Sequence, residues 1–142
     1  MKTLFFTLTL ASTLIYGGDF IANAKSHTVV QNSTKLLWQD DPSSAERQMS
    51  YKSAMAYCET LDYADHTDWR IPSASQLLSI TDTRRTPAIS IAFFHTASGC
   101  YWVEHGSIKG HVGMIDFSDG MKKSVNGFEQ TCHVRCVVHT LK

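Results

Sequence analysis

Apolar positions recur at helical spacing in the first half of the chain and in short, nearly continuous runs in the second. Leu36-Leu37-Trp38 is an apolar run ended by Gln39-Asp40-Asp41-Pro42, which predicts an opening strand and a turn. Between Ser50 and Leu61 the apolar residues Tyr51, Ala54, Met55, Cys58 and Leu61 fall on one face of a helix, with Ser50 as its N-cap. Pro72-Ser73-Ala74-Ser75-Gln76 predicts a second, short helix. Ser73 and Gln76 have the capping-box spacing, and Leu77, Leu78 and Ile80 supply the apolar face. Asp82 to Pro87 reads as a polar loop carrying Arg84 and Arg85. Strands are then expected at Cys100–Val103, at Gly113–Phe117 before the turn Ser118-Asp119-Gly120, and at the Val-rich stretch His133–His139. Two helices followed by antiparallel strands make an α+β layout, with the first strand pairing with the last.

The N-terminus has the form of an export signal. Lys2 precedes an apolar stretch from Leu4 to Tyr16, and Ala22-Asn23-Ala24 has the small-x-small form of a cleavage site. About a dozen apolar residues are too few for a comfortable bilayer span, which takes roughly 20. The competing reading, an uncleaved membrane anchor, is the weaker for that reason. No Cys precedes Cys58, so an N-terminal lipoprotein site is excluded. The expected organisation is a signal peptide over residues 1–24, a loose polar lead-in over 25–33 and one domain over 34–142.

Charge and cysteine content narrow the chemistry. Thirteen basic residues balance thirteen acidic ones, and this neutrality argues against a nucleic-acid partner. Four cysteines in an exported domain read as two disulfides. Cys132 with Cys136 is the least favoured of the three pairings. On one extended segment, four strand residues span about 13 Å, beyond the Cα limit of about 7 Å. Cys58–Cys136 with Cys100–Cys132 is preferred, and Cys58–Cys132 with Cys100–Cys136 stays open. A zinc site is not expected. There is no Cys-x-x-Cys, and His133 and His139 stand six residues apart. No cofactor is implied.

The residues Thr34-Lys35-Leu36-Leu37-Trp38-Gln39-Asp40, Ala56-Tyr57-Cys58, Asp68-Trp69-Arg70-Ile71-Pro72-Ser73, Tyr101-Trp102, Asp116-Phe117-Ser118-Asp119-Gly120 and Val134-Arg135-Cys136-Val137 resemble the motifs of the Lcl C-terminal-domain-like family, in order and at suitable spacing. This is a bacterial domain of unknown function named for a collagen-like adhesin. The resemblance implies a C-type-lectin-like fold, two helices flanking twisted antiparallel sheets, with binding carried by an irregular loop region. The namesake implies recognition of sulfated glycosaminoglycans or related polysaccharides. This chain departs from the family pattern at Gln76, where Glu is usual, at Val103-Glu104, where Ser-Ser is usual, and at Val138, where Arg is usual. The lost Arg and the added Glu104 weaken an anion-binding carry-over. Neither Glu-Pro-Asn, Gln-Pro-Asp nor Trp-Asn-Asp is present. The sequence also offers no dense carboxylate cluster beyond Asp40-Asp41 for the six to eight oxygens calcium needs.

Trp38, Trp69, Arg70, Trp102 and Arg135 are read as framework. Trp69 is expected to pack under the second helix, and Arg70 to bridge backbone carbonyls or Asp68. Trp102 is expected in the core with Tyr101 on the opposite strand face, and Arg135 to pair with Asp116 or Asp119. The candidate binding residues are Arg84, Arg85, Lys109, Lys122 and Lys123, which would form a small basic patch for sulfate or carboxylate groups if loops gather them. The patch competes with a plain solvated loop surface. The expected function is therefore a non-catalytic binding module, secreted or periplasmic, recognising a glycan or an envelope or host protein, since no nucleophile–base–orienter set is visible. An accessory subunit of an envelope assembly is the alternative. An enzyme using thiol chemistry, as the sulfatase-modifying proteins of the broad fold do, ranks below both.

Overall fold

The computed structural model describes residues 14–104 and 110–140. Two five-stranded sheets and three short helices make up this part of the chain. The first sheet has the order β1 (Leu14–Gly17), β2 (Phe20–Asn23), β3 (Thr28–Gln31), β4 (Leu36–Gln39) and β10 (Val137–His139), all antiparallel. The second has the order β5 (Gln48–Met49), β9 (Cys132–His133), β6 (Cys100–Trp102), β7 (His111–Asp116) and β8 (Met121–Asn126). Its pairs are antiparallel except β6 with β9. The α+β expectation holds, and the opening strand β4 does pair with the closing strand β10, Trp38 opposite Val137.

The apolar runs are continuous because β4, β6 and β10 bury both faces. Along β4, Leu36 and Trp38 enter one core cluster and Leu37 the other. Tyr101 and Trp102 divide in the same way on β6, as do Val137 and Val138 on β10. A period of two thus sorts neighbouring residues between two packed layers instead of between core and water.

The helices α1 (Ser43–Glu46), α2 (Tyr51–Glu59) and α3 (Ala74–Leu78) include one the sequence pattern did not predict, the single turn α1. Ser50 caps α2 by accepting from Ser53 N, and Ala54 and Cys58, four residues apart, form its buried face. Ser73 and Gln76 close the capping box of α3. The bridges are Cys58–Cys136 and Cys100–Cys132. The first ties α2 to the segment between β9 and β10 across 78 residues of chain, a closure that chain entropy values at roughly 4 kcal/mol.

Three expectations need correction. Residues 25–33 are not a loose lead-in: the β-branched run Thr28-Val29-Val30 forms β3, paired on both sides, with Val29 fully buried. His133–His139 is not one strand. It divides into β9 and β10, which lie in different sheets, and residues 134–136 cross between them. The Lys122-Lys123 segment, read as loop, is edge strand β8, exposed along most of its length. Among the described residues, no helix is long and apolar enough to cross a membrane.

Candidate functional site

Residues 79–99, between α3 and β6, form a long irregular segment held against both sheets. Asp82 N donates to Ala88 O at 3.1 Å, Ala88 N to Phe117 O at 2.7 Å and Ser90 N to Ile80 O at 2.9 Å. Farther along, Asp40 reaches up from the end of β4. Its carboxylate accepts from Phe94 N at 2.9 Å and from His95 N at 3.1 Å. The Tyr101 hydroxyl accepts from Ala97 N at 2.9 Å and donates to Ser44 O at 2.6 Å. Burial pushes that phenol's pKa upward, so the hydroxyl keeps the proton it donates.

Arg135 is the centre of this fastening. Its side chain is fully buried and pairs with Asp40 at 2.9 Å, not with Asp116 or Asp119 as the sequence suggested. It also donates to Gln39 O at 2.5 Å, His95 O at 2.6 Å and Thr96 Oγ1 at 2.8 Å. Its guanidinium lies 4.9 Å from the centre of the Phe93 ring. A planar fork with five donors suits several acceptors around one buried point, which a Lys ammonium would not match. The expected partners were wrong because Asp116 and Asp119 lie on the far hairpin and are taken by Lys123.

Trp38, Trp69 and Trp102 are buried as expected, whereas Arg70 keeps about a third of its side chain exposed. Trp69 sits in the core cluster of Ala54 and Cys58 from α2, not with Leu77 of α3, and its indole N–H donates to Tyr63 O and His66 O, each at 3.1 Å. Arg70 donates to Gln76 Oε1 at 3.1 Å and to one backbone carbonyl, Ile71 O, at 3.5 Å, and lies 3.7 Å from Glu104; Asp68 is not among its partners. Trp102 is fully buried and donates to Met49 O at 2.8 Å. Trp38 donates to Gln31 Oε1 at 3.2 Å.

The candidate cations converge only in part. The Arg84-Arg85 loop packs on the β7–β8 turn, where Gly120 has φ +77 and a Cβ would lie 3.0 Å from Thr83 Cγ2. The loop and hairpin therefore share one end of the molecule, but carboxylates stand among the cations. Arg84 grips Asp82 through Nε and Nη2, at 2.9 and 3.1 Å. Lys123 sits between Asp116 at 2.9 Å and Asp119 at 2.8 Å. Partial burial raises the Asp116 pKa, but the hydrogen bonds from Lys123 and Ser118 prevail and hold it at about 2. Arg85 and Lys122 make no ion pair among the described residues, and Lys109 lies outside those residues. On edge strand β8, Lys122 and Lys123 also serve to discourage pairing with another chain.

Sequence reasoning missed the apolar part of this surface. Ile91 and Phe94 are each 54% exposed on the fastened loop. Ile91 forms the ridge between two clefts. One, of about 320 Å³, is lined by Arg85, Pro87, Ile89, Phe93, Phe94 and Thr96; the other, of about 460 Å³, includes Phe20, Asp82 and Arg84. The available signal was the apolar cluster Ile89 to Phe94, whose alternation of Ile89, Ile91 and Phe93 with Ser90 and Ala92 reads as a strand and not as an exposed loop. A separate apolar hollow of about 480 Å³ lies beside Tyr51, Lys52, Met55 and Phe128. Among the described residues, no three His, Cys, Asp or Glu side chains are placed to hold a metal ion.

Residues 27–138 match the model of the Lcl C-terminal domain. The chain belongs to that family. The match takes in both disulfides, the Asp40–Arg135 pair and the whole 79–99 loop. No curated protein matches the chain.

Proposed function

We propose that this Lcl C-terminal domain is an exported, non-catalytic binding module acting in the periplasm or at the cell surface, and that it recognises a glycan carrying anionic groups through the 81–96 loop. The observation that carries this reading is the pairing of half-exposed Ile91 and Phe94 with Arg84 and Arg85 around two clefts, on a loop fixed from below by Asp40 and Arg135. An aromatic ring beside a guanidinium suits the apolar face of a sugar ring next to a sulfate or carboxylate. A rigid loop loses little further entropy on binding. Two disulfides fit an oxidising compartment. With all four cysteines bridged, thiol chemistry has no thiol to use.

The test is binding of the oxidised protein to neutral and sulfated glycan arrays, at low and physiological salt, with and without chelator. Salt-sensitive, chelator-resistant binding lost in Arg85→Glu and Phe94→Ser supports the reading. Binding indifferent to both substitutions, or substrate turnover abolished by a single substitution, contradicts it. A second reading, an accessory subunit docking on a protein, draws on the aliphatic character of Ile91, which suits a protein partner better than a sugar. Silence on the arrays with specific envelope-protein capture that Ile91→Ser abolishes would favour it.

A further inference from the structure

We propose that the export leader is cut N-terminal to Asp19, after Gly17 or Gly18, and not after Ala24 as the small-x-small pattern alone suggests, so that residues 19–24 belong to the mature domain. The inference rests on the export reading above. β2 pairs along its whole length with β3, from Phe20 opposite Gln31 to Asn23 opposite Thr28. Ala22 is 2% exposed within the core cluster of Trp38 and Val29, and the Phe20 ring lies 5.8 Å from that of Phe93, edge on. Asp19 closes the far end of the hairpin. Its carbonyl accepts from Asn32 N at 2.9 Å, and its carboxylate from Ser33 N at 2.7 Å and from the Ser33 hydroxyl. At the near end, Asn23 Oδ1 accepts from Lys25 N at 3.0 Å and Ser26 N at 3.2 Å.

A cut after Ala24 falls inside that turn and discards β2 with the leader. β3 would then become an unpaired edge, and Phe93 would lose its ring partner. The cleft beside Arg84 and Ile91 would lose Phe20, and the hollow above Asp40 would lose Ala22, Asn23 and Ala24 from its wall. β1 is different. It pairs only with β2, at the outer edge of the sheet, and coincides with the end of the apolar run that ends at Tyr16. Removing it leaves every other strand pair intact. Gly17 or Gly18 supplies the small residue directly before the cut, with Ile15 or Tyr16 standing where the second small residue of the usual pattern would be, so it is the fold that places the cut. The step is hydrolysis: water adds across the peptide bond, leaving a carboxylate on the leader's final glycine and a free amine on the mature chain.

The test is expression of the full chain with its own leader in a bacterial host, with intact mass and N-terminal sequence read on the envelope fraction. The expected N-terminus is Gly18 or Asp19. Ala24→Leu, a change at an exposed position, should leave that cut in place, whereas Gly17→Leu with Gly18→Leu should block or displace it. A chain beginning at Lys25, or processing stopped by Ala24→Leu, overturns the inference while leaving export standing. An unprocessed chain retained in the cytoplasm overturns both.

Discussion

Two cation–carboxylate groups in this molecule share nearly the same distances and differ in everything else. Arg135 and Asp40 meet at 2.9 Å with side chains 0% and 4% exposed, while Lys123 meets Asp116 and Asp119 at 2.9 and 2.8 Å with its side chain 40% exposed. Around the first pair the chain has arranged further partners: Gln39 O, His95 O, Thr96 Oγ1 and the amides of Phe94 and His95. Around the second stand the amide and hydroxyl of Ser118 and the amide of Met121, on a surface open to solvent. A buried ion pair is kept by what else depends on it, since its own Coulombic gain is largely offset by desolvation. Here what depends on it is the shape of the loop that carries Ile91 and Phe94.

Breaking the buried pair is expected to cost most. Asp40→Ala leaves the Arg135 guanidinium uncompensated and should lower unfolding stability by about 3–5 kcal/mol in urea titration. A loss below about 1 kcal/mol would mean the pair is incidental. Removing the Cys58–Cys136 bridge by a double Ala substitution should cost about 2–5 kcal/mol, seen as a fall in the denaturant midpoint. An unchanged midpoint would show that α2 is held by packing alone.

A smaller, pH-dependent effect should separate the buried side from the exposed one. His133 is buried and stacked on Tyr101, with ring centres 5.1 Å apart, and its Nδ1 has no partner among the described residues. Burial holds its pKa below the usual imidazole value, against an opposing hydrogen bond with the Arg47 backbone. The unfolded chain therefore takes up the proton first. Stability should be fully present above about pH 6.5 and fall as the solution is acidified below it. Melting curves between about pH 7 and pH 5 should show the fall, and His133→Gln should flatten it. The smallest effect is expected at the exposed group, where Lys123→Met should leave the thermal midpoint within replicate scatter. A clear drop there would erase the contrast.

Local chemistry made part of the fold legible in advance. The Ser50 cap, the Ser73–Gln76 box and the buried Ala54–Cys58 face depend on residues within a turn of one another, and the structure forms all three. What depends on the other sheet was not legible. Nothing in His133–His139 marks where the chain leaves one sheet for the other, because alternation is the same in both. β8 has one wholly polar face and on the other only Met121 and Val125 with Lys123 between them, so its strand period is faint. The N-terminal hairpin was hidden behind a leader-like composition. Arg135 and Asp40 are 95 residues apart, and several carboxylates nearer in sequence were equally plausible partners. Ile91 and Phe94 were invisible as surface residues, since Ile91 alternates with Ile89 and Phe93, both of which are buried, and an apolar side chain in such a run reads as core until the loop's path is known.

The claim that the loop is a rigid platform fastened from below is tested most directly by amide hydrogen exchange at Phe94 and His95, whose N–H groups point at the Asp40 carboxylate. The account predicts protection at these two amides close to that of the β4 and β10 amides, collapsing in Asp40→Ala while β7 stays protected. Exchange at open-loop rates in the unaltered protein would contradict it.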